Sequence, residues 1–307
     1  MRALRRAHAA QRLPHALLIH EAPGAGGGQL AAWIARLVLC TAAEPPCGRC
    51  GACRSSREEQ HPDLTCVRPI EDSQQIRIEQ VRALGEELTL TSHQGGYKVA
   101  LIEPADAMNR FAANALLKTL EEPAPRTLIV LVAQQPSRLP ATIMSRCQRI
   151  TLRAPSRAQS LEWLRATRGE GDWGAVLDVL GEAPLAAACL DPAEVKQLAE
   201  ETVRGLQQAA DGTADPVGLA ERWSRSELAL RLACFENWLT ERIRRRLVGH
   251  KNPAEERSGA HSRAGDSVLN TQVLFQLLDR VRELKASLAT PINRSLALES
   301  LLRSLRT

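Results

Sequence analysis

The chain has 307 residues and a formal net charge of +5, with 40 basic and 35 acidic residues interspersed along it. Aromatic residues make up only 3%, which argues against a protein that binds single-stranded nucleic acid by stacking bases on exposed rings. No apolar run approaches the length needed to span a bilayer, and the first residues lack the apolar core of a signal peptide. We therefore predict a cytoplasmic protein that does not enter a membrane.

The first half of the sequence alternates short apolar segments with amphipathic ones. The apolar segments are rich in Val, Ile and Leu, and they predict five strands at 16–20, 65–69, 98–103, 127–133 and 148–152. The amphipathic segments predict helices at 29–40, 76–89 and 108–122. Because strands alternate with helices, we expect an α/β domain with a mostly parallel sheet covered on both faces.

After residue 153 the strand signal disappears and the pattern becomes helical. Helices are predicted at 156–167, 173–180, 183–189, 193–210, 214–223, 225–249, 268–287 and 291–305. The polar stretch at 251–267 predicts a loop between two of them. At this length the chain has room for two or three domains, so we expect an α/β domain followed by two helical ones.

A glycine-rich stretch, "APGAGGGQLA" (22–31), follows the first predicted strand and contains Gly24, Gly26, Gly27 and Gly28. A working phosphate-binding loop has the form G-x-x-x-x-G-K-[ST], in which the Lys reaches the phosphates and the hydroxyl holds Mg²⁺. Here Gly27 and Gly28 stand at the Lys and Ser/Thr positions. We predict a structural glycine turn, and weak nucleotide binding without hydrolysis is the alternative.

Four cysteines lie within fourteen residues in the pattern C-x6-C-x2-C-x2-C: Cys40, Cys47, Cys50 and Cys53. Thiolates at this spacing can converge on one ion, so we predict a structural zinc site with no open position for catalysis. An iron–sulfur cluster and four unrelated buried cysteines are the alternatives. The isolated cysteines are predicted to be core thiols: Cys66, Cys147, Cys189 and Cys234.

The motifs and their order resemble one family. They are "HALLIHEAPGAGGGQLA", the four cysteines, "HPDL" (61–64), "KVALIEPADAMN" (98–109), "NALLKTLEEP" (114–123) and "LPATIMSRCQRI" (139–150). Together they resemble the delta-prime subunits of the bacterial DNA polymerase III clamp loader, which are inactive members of the AAA+ superfamily. The resemblance covers residues 14–153 and continues more weakly through "GEAPLAAACL" (181–190) and "TPINRSLALESLL" (290–302).

The resemblance implies three domains. Residues 1–153 would form an AAA+ α/β domain with a parallel, P-loop-like sheet, into which a zinc module at 40–66 is inserted. Residues 154–193 would form a small helical lid domain. Residues 194–307 would form an all-α collar that holds an oligomer together.

The resemblance also implies that the parts needed for ATP hydrolysis are missing. The acidic pair associated with Mg²⁺ in active relatives lines up with Glu103 and Pro104. The sensor Thr lines up with Ala133 or Gln134, and the lid arginine lines up with Pro184. No ATP is therefore expected in the chain's own site.

One functional motif is intact: Ser145, Arg146 and Cys147 form the S-R-C tripeptide. In the clamp-loader family this arginine reaches across a subunit interface to the γ-phosphate of ATP bound by the neighbour. A guanidinium there neutralises charge on the transferring oxygens, and such a finger can accelerate hydrolysis roughly 10³–10⁵-fold. Arg146 is thus the predicted arginine finger in trans.

The resemblance implies an accessory, non-enzymatic subunit in a hetero-oligomer. Its partners would be the ATP-binding gamma/tau subunits and the delta subunit, in a five-membered open ring that loads the sliding clamp onto primed DNA during replication. Two alternatives stay open from the residues. One is an active AAA+ ATPase motor with a divergent P-loop, and the other is a zinc-stabilised nucleic-acid-binding module.

Overall fold

A computed structural model describes residues 1–22, 24–70, 73–181, 183–249, 271–288 and 293–305. The chain divides into two units, Met1–Pro155 and Ser156–Thr307. The polar loop predicted at 251–267 lies outside the described residues. Within the described ranges, every helix is too short or too polar to cross a bilayer.

The first unit contains five strands: β1 (Ala16–Glu21), β2 (Leu64–Val67), β3 (Lys98–Ile102), β4 (Thr127–Ala133) and β5 (Gln148–Leu152). They form one sheet in the order β2-β3-β4-β1-β5, and every neighbouring pair is parallel. The central strands β3 and β4 are buried along their whole length, whereas the edge strand β5 is mostly exposed. The five strands predicted from the sequence are confirmed.

Helices cover both faces of this sheet, as expected. One face packs against α4, α5 and α6 through a core that includes Ile102, Leu116 and Ile143. The other face packs against α2 through Ile34 and Val130, among others. The helices of this unit are α1 (Arg2–Ala9), α2 (Gly27–Leu39), α3 (Gly51–Arg57), α4 (Ile78–Thr89), α5 (Arg110–Glu121) and α6 (Ala141–Arg146).

The second unit, where it is described, is helical. Two of its helices begin with an Asp-Pro pair, in which the Asp191 or Asp215 carboxylate accepts backbone N–H bonds from the first turn. Proline fits the first helical position because its missing N–H would be unpaired there. The helices are α7 (Arg157–Arg168), α8 (Trp173–Leu180), α9 (Pro184–Ala187), α10 (Pro192–Ala210), α11 (Pro216–Arg225), α12 (Leu228–Gly249), α13 (Thr271–Ser287) and α14 (Arg294–Arg303).

Two apolar clusters stabilise the second unit. One joins α7, α8 and α9 and includes Trp173 and Val195. The other joins α11, α13 and α14 and includes Trp223. Both clusters take residues from α10 and from α12, so these two long helices are shared. The division into a lid at 154–193 and a collar at 194–307 stays a prediction.

The four isolated cysteines differ in exposure. Cys147 and Cys234 are buried, as predicted, and Cys66 is partly buried. The prediction is wrong for Cys189, which is exposed and donates its thiol to the Leu185 carbonyl at 3.5 Å. The reason is that α9 is a single turn and ends before Cys189, which leaves this residue on the surface.

Candidate functional site

The glycine-rich loop joins the carboxyl end of β1 to the N-terminus of α2. Gly24 and Gly26 have φ angles of 74° and 94°, in the left-handed region that favours glycine. Gly26 caps α2, and Gly27 and Gly28 are its first two residues. In parallel α/β folds, ligands bind at this edge of the sheet and phosphates bind at such a helix N-terminus. The loop thus has the location of a phosphate site.

A carboxylate of the chain itself lies at this helix N-terminus. Glu21, the last residue of β1, is 7% exposed and accepts a hydrogen bond from the Gly27 N–H. The helix dipole and the unpaired N–H groups stabilise a carboxylate there as they would a phosphate. A Cβ atom at position 27 would lie 2.6 Å from Cδ of Glu21 and 2.8 Å from Cγ1 of Val132. Gly27 therefore makes room for the carboxylate, and a lysine at this position would collide with it.

A second carboxylate, that of Glu103, lies beside Gly28. A Cβ atom at position 28 would lie 2.9 Å from Cδ of Glu103 and would overlap its carboxylate. Arg68 approaches Glu103 at 4.0 Å and pairs with Glu59 at 2.6 Å. Burial raises the pKa of Glu103, Arg68 opposes this, and the charges of Glu21 and Glu59 raise it further. Two carboxylates thus face the start of α2, where they repel an incoming phosphate.

The other positions that line up with catalytic groups carry no replacement for them. Pro104 follows Glu103 after the end of β3, and Ala133 is the fully buried last residue of β4. Gln134 is exposed, and Pro184 opens α9 in the second unit. None of these four side chains is a carboxylate, a hydroxyl or a cation. These four positions therefore offer no group for activating water or holding Mg²⁺.

The four clustered cysteines converge around one point. Cys40 is the C-cap of α2, Cys50 is the N-cap of α3, and Cys53 lies in the first turn of α3. Their sulfur atoms and that of Cys47 all lie within 4.8 Å of one another, and those of Cys40 and Cys50 are 3.9 Å apart. Tetrahedral zinc with bonds of about 2.3 Å places its sulfurs about 3.8 Å apart. The four residues therefore fit a structural zinc ion, and they are not unrelated cysteines.

Backbone N–H groups stabilise the thiolate forms in this cluster. The N–H groups of Cys47, Cys50 and Cys53 each donate to the preceding cysteine's sulfur at 3.4 Å. The N–H of Cys53 lowers the pKa of Cys50 to about 6. Burial raises the pKa of Cys53 to about 12. A divalent cation would offset that cost of burying a thiolate, because metal ligands bind deprotonated.

Arg146 ends helix α6 and is held by two acceptors of its own unit. Its Nη2 lies 2.5 Å from Oε1 of Glu121, and its Nη1 donates to the Thr142 carbonyl at 3.0 Å. The Arg146 side chain is 36% exposed. Ser145 donates its hydroxyl to the same carbonyl at 3.1 Å, whereas Cys147 is buried in the core. In the S-R-C motif, Cys147 anchors the helix end and Arg146 presents a cation near the surface.

Sequence reasoning missed Glu21, and it placed Glu121 at the end of a helix without pairing it with Arg146. Glu21 ends an otherwise apolar strand, and a charge in a buried run is a signal for a specific partner. Glu121 ends a helix, where the dipole disfavours a carboxylate, so it too signals a nearby cation. The sequence alone does not say which partner each carboxylate has.

Comparisons with known proteins all match subunits of DNA polymerase III. The family model described as "DNA polymerase III, delta subunit" matches residues 1–156. DNA polymerase III subunit delta' of Pseudomonas aeruginosa is 38% identical over 239 residues, which cover 76% of this chain and 73% of that protein. DNA polymerase III subunit tau of Escherichia coli is 33% identical over 145 residues, which cover 47% of this chain and 22% of that protein.

The fold also has a solved counterpart. A crystal structure of a DNA polymerase III gamma subunit-related protein from Thermotoga maritima matches with a TM-score of 0.53. The match is 19% identical and covers 99% of this chain and 98% of that one. At this identity the likeness concerns the fold alone.

Proposed function

Because the chain belongs to the DNA polymerase III delta' family, we propose that it is a clamp-loader subunit that does not hydrolyse ATP and completes a neighbour's ATPase site. The observation that carries the proposal is the Glu21 carboxylate at the N-terminus of α2. It takes the place that a nucleotide phosphate requires, in a fold whose active members bind ATP there.

Electrostatics supports the loss of ATP binding. A phosphate approaching α2 would meet the carboxylates of Glu21 and Glu103, and no lysine stands in the loop to offset them. Backbone N–H groups and the helix dipole attract anions, but the Gly27 N–H already binds Glu21. Without the Lys and the hydroxyl, the loop lacks the two side chains that hold the phosphates and Mg²⁺ in a working phosphate-binding loop.

Arg146 supports the proposal that the chain completes a neighbour's ATPase site. It supplies a cation at the end of α6, outside the glycine loop. Its guanidinium has five N–H donors, of which the contacts with Glu121 and Thr142 use two. The others are sufficient to bind phosphate oxygens of a nucleotide on another subunit. In the transition state such a contact neutralises charge on the transferring group.

The family membership supports the assembly that we propose. The partners would be ATP-binding gamma/tau subunits and a delta subunit in an open ring of five, which loads a sliding clamp onto primed DNA in the cytoplasm. Similarity to a tau subunit over 47% of the chain agrees with subunits that share a fold. Residues 154–193 would act as the lid and residues 194–307 as the collar, and a structural zinc would stabilise residues 40–66.

The first test measures ATP binding by the purified chain. We expect no binding in a titration with labelled ATP and Mg²⁺, under conditions in which the ATP-binding partner binds well. Micromolar affinity would overturn the proposal that this site binds no ATP, and hydrolysis by the chain alone would then show an active ATPase with a divergent loop.

The second test measures hydrolysis by the reconstituted assembly. Arg146→Ala should reduce hydrolysis at the adjacent site by a factor on the order of 10³, because the finger acts in the transition state. Arg149→Ala, a nearby exposed arginine on β5, serves as the matched control and should have little effect. If DNA- and clamp-stimulated hydrolysis is the same for Arg146→Ala and wild type, the arginine-finger assignment is wrong.

A further inference from the structure

Glu121 and Arg146 face each other from the ends of two helices. Glu121 is the last residue of α5, where the helix dipole disfavours a carboxylate, and Arg146 is the last residue of α6, where the dipole favours a cation. Their side chains meet at 2.5 Å. The neighbouring Glu122 has no ion pair within the described parts of the chain. The carboxylate that pairs with Arg146 is therefore a specific one, although two acidic residues end the helix.

The contact restrains the guanidinium in one orientation. Glu121 binds Nη2, and the Thr142 carbonyl binds Nη1, so both terminal nitrogens are fixed by groups of the same unit. The Thr142 carbonyl belongs to α6 itself, whereas Glu121 belongs to α5, which packs against α6 in one core. Glu121 thus ties the end of a flexible side chain to the sheet domain. The donors that remain are those available to a ligand from outside.

We propose that Glu121 is a positioning residue for Arg146, holding its guanidinium ready for the nucleotide of a neighbouring subunit. This inference rests on the proposed function, because it needs Arg146 to act in trans. A restrained arginine loses less rotamer freedom when it binds phosphate than a free one does. Removing Glu121 should therefore weaken the finger without removing it.

A competing interpretation of the Glu121–Arg146 pair predicts the opposite change in the rate of hydrolysis. If the carboxylate instead competed with phosphate for Arg146, removing it would free the guanidinium and raise hydrolysis. The sign of the change in rate therefore separates positioning from competition.

The test uses full-length variants in the reconstituted assembly: Glu121→Ala, Glu121→Gln and the matched control Glu122→Ala. We expect Glu121→Ala to lower kcat for stimulated ATP hydrolysis about two- to five-fold, the range of a partly exposed ion pair, with little change in KM. Glu121→Gln keeps an acceptor oxygen and should retain more activity than Glu121→Ala. Glu122→Ala should behave as wild type.

A double variant separates positioning from a general effect on the fold. If Glu121 acts only through Arg146, Glu121→Ala combined with Arg146→Ala should hydrolyse ATP at the rate of Arg146→Ala alone. A further decrease in the double variant, or an unchanged or raised rate in Glu121→Ala, overturns the inference while the arginine finger stands. If Arg146→Ala itself has no effect, the proposed function fails and the inference fails with it.

Discussion

The two ends of helix α2 favour charges of opposite sign, and they differ in where the charged partner comes from. At the N-terminus, the Gly27 N–H binds the carboxylate of Glu21, a residue of the same chain. At the C-terminus, the C-cap Cys40 is the first of four thiols whose spacing fits a metal ion. A helix favours an anion at its start and a cation at its end. The N-terminus of α2 therefore has an anion from the same chain, whereas the C-terminus is suited to a metal ion from outside.

If the chain binds no nucleotide, as we propose, this difference explains how the fold keeps its shape without one. The positive end of α2 still needs an anion, and Glu21 supplies it without any cofactor. The four thiols gain most from an added cation, because each thiolate in the cluster repels the others until a cation joins them. Loss of an external ligand should therefore cost much at the C-terminal end of α2 and little at the N-terminal end.

The largest effect is expected at the cysteines. Cys53 is fully buried, so Cys53→Ser removes one ligand of four and leaves a hydroxyl in its place. We expect a loss of about 2–4 kcal/mol in the free energy of unfolding, which corresponds to a decrease in Tm of at least about 5 °C. Thermal unfolding measures the decrease in Tm, and metal analysis of the purified protein measures the loss of the bound ion.

Two comparisons make the cysteine result specific. Cys189→Ser, at the exposed cysteine, should leave both Tm and metal content unchanged. Chelation of wild-type protein should destabilise residues 40–66 selectively, which hydrogen exchange can localise. Unchanged thermal stability after verified metal removal would contradict a structural role and would make the two ends of α2 equivalent.

A smaller effect is expected at the N-terminal end, from a substitution that fills space. An alanine usually stabilises a helix interior by about 1 kcal/mol relative to glycine. Gly27→Ala should instead destabilise the chain by about 1–3 kcal/mol, because the new Cβ would lie 2.6 Å from Cδ of Glu21. Denaturant unfolding of Gly27→Ala, of Glu21→Ala and of the double variant measures the coupling between positions 21 and 27.

The double variant decides whether Glu21 is the cause. In the Glu21→Ala background, the cost of Gly27→Ala should shrink by at least about 0.5 kcal/mol, as expected for residues in contact. Gly85→Ala on α4 is the matched control, since its Cβ would meet its nearest atom, Oγ1 of Thr119, at an ordinary 3.5 Å. It should be neutral or stabilising. An equal cost of Gly27→Ala in both backgrounds would mean that Val132 alone restricts this position.

The sequence predicts the sheet well because its strands are apolar runs with polar ends. It predicts the start of α2 less well: the helix was expected from residue 29 but begins at Gly27. Glycine has low helix propensity, so the sequence pattern places the start later than the structure does, where Glu21 and Val132 lie against Gly27 and Glu103 lies against Gly28. Helices α1, α3 and α6, of 8, 7 and 6 residues, were missed because so few turns show no clear helical period.

Some features of the candidate sites could be predicted from the sequence, and others could not. The missing lysine and the four cysteines are visible in the sequence because each is a short-range pattern. The roles of Glu21 and Glu121 depend on which strand end meets which helix end, and neither sequence spacing nor composition carries that information. The predicted boundary between the lid and the collar, at 193/194, is likewise not visible in the apolar clusters, because α10 and α12 contribute to both of them.

The smallest effect concerns Glu103 and its dependence on pH. Burial raises the pKa of Glu103, so the folded chain binds this proton more tightly than the unfolded chain, whose carboxyl titrates near its usual value of about 4.3. Above the raised pKa the ionised group lowers stability, and below about pH 4 it is protonated in both states and the effect vanishes. Glu103→Gln should therefore stabilise the chain by a few tenths of a kcal/mol at pH 8 and by nothing near pH 4.

The sign of this effect tests the electrostatics at the start of α2. The Glu103 side chain is 32% exposed and Arg68 lies 4.0 Å away, so solvent and the cation keep the change small. Unfolding measured at pH 8, 6 and 4 should show the gain declining with pH, whereas Glu162→Gln, an exposed residue of the second unit, should show no such trend. If Glu103→Gln instead lowers stability at pH 8, Arg68 outweighs the repulsion between Glu103 and Glu21. The start of α2 would then carry a balanced ion network, and repulsion by Glu103 could no longer explain the exclusion of phosphate.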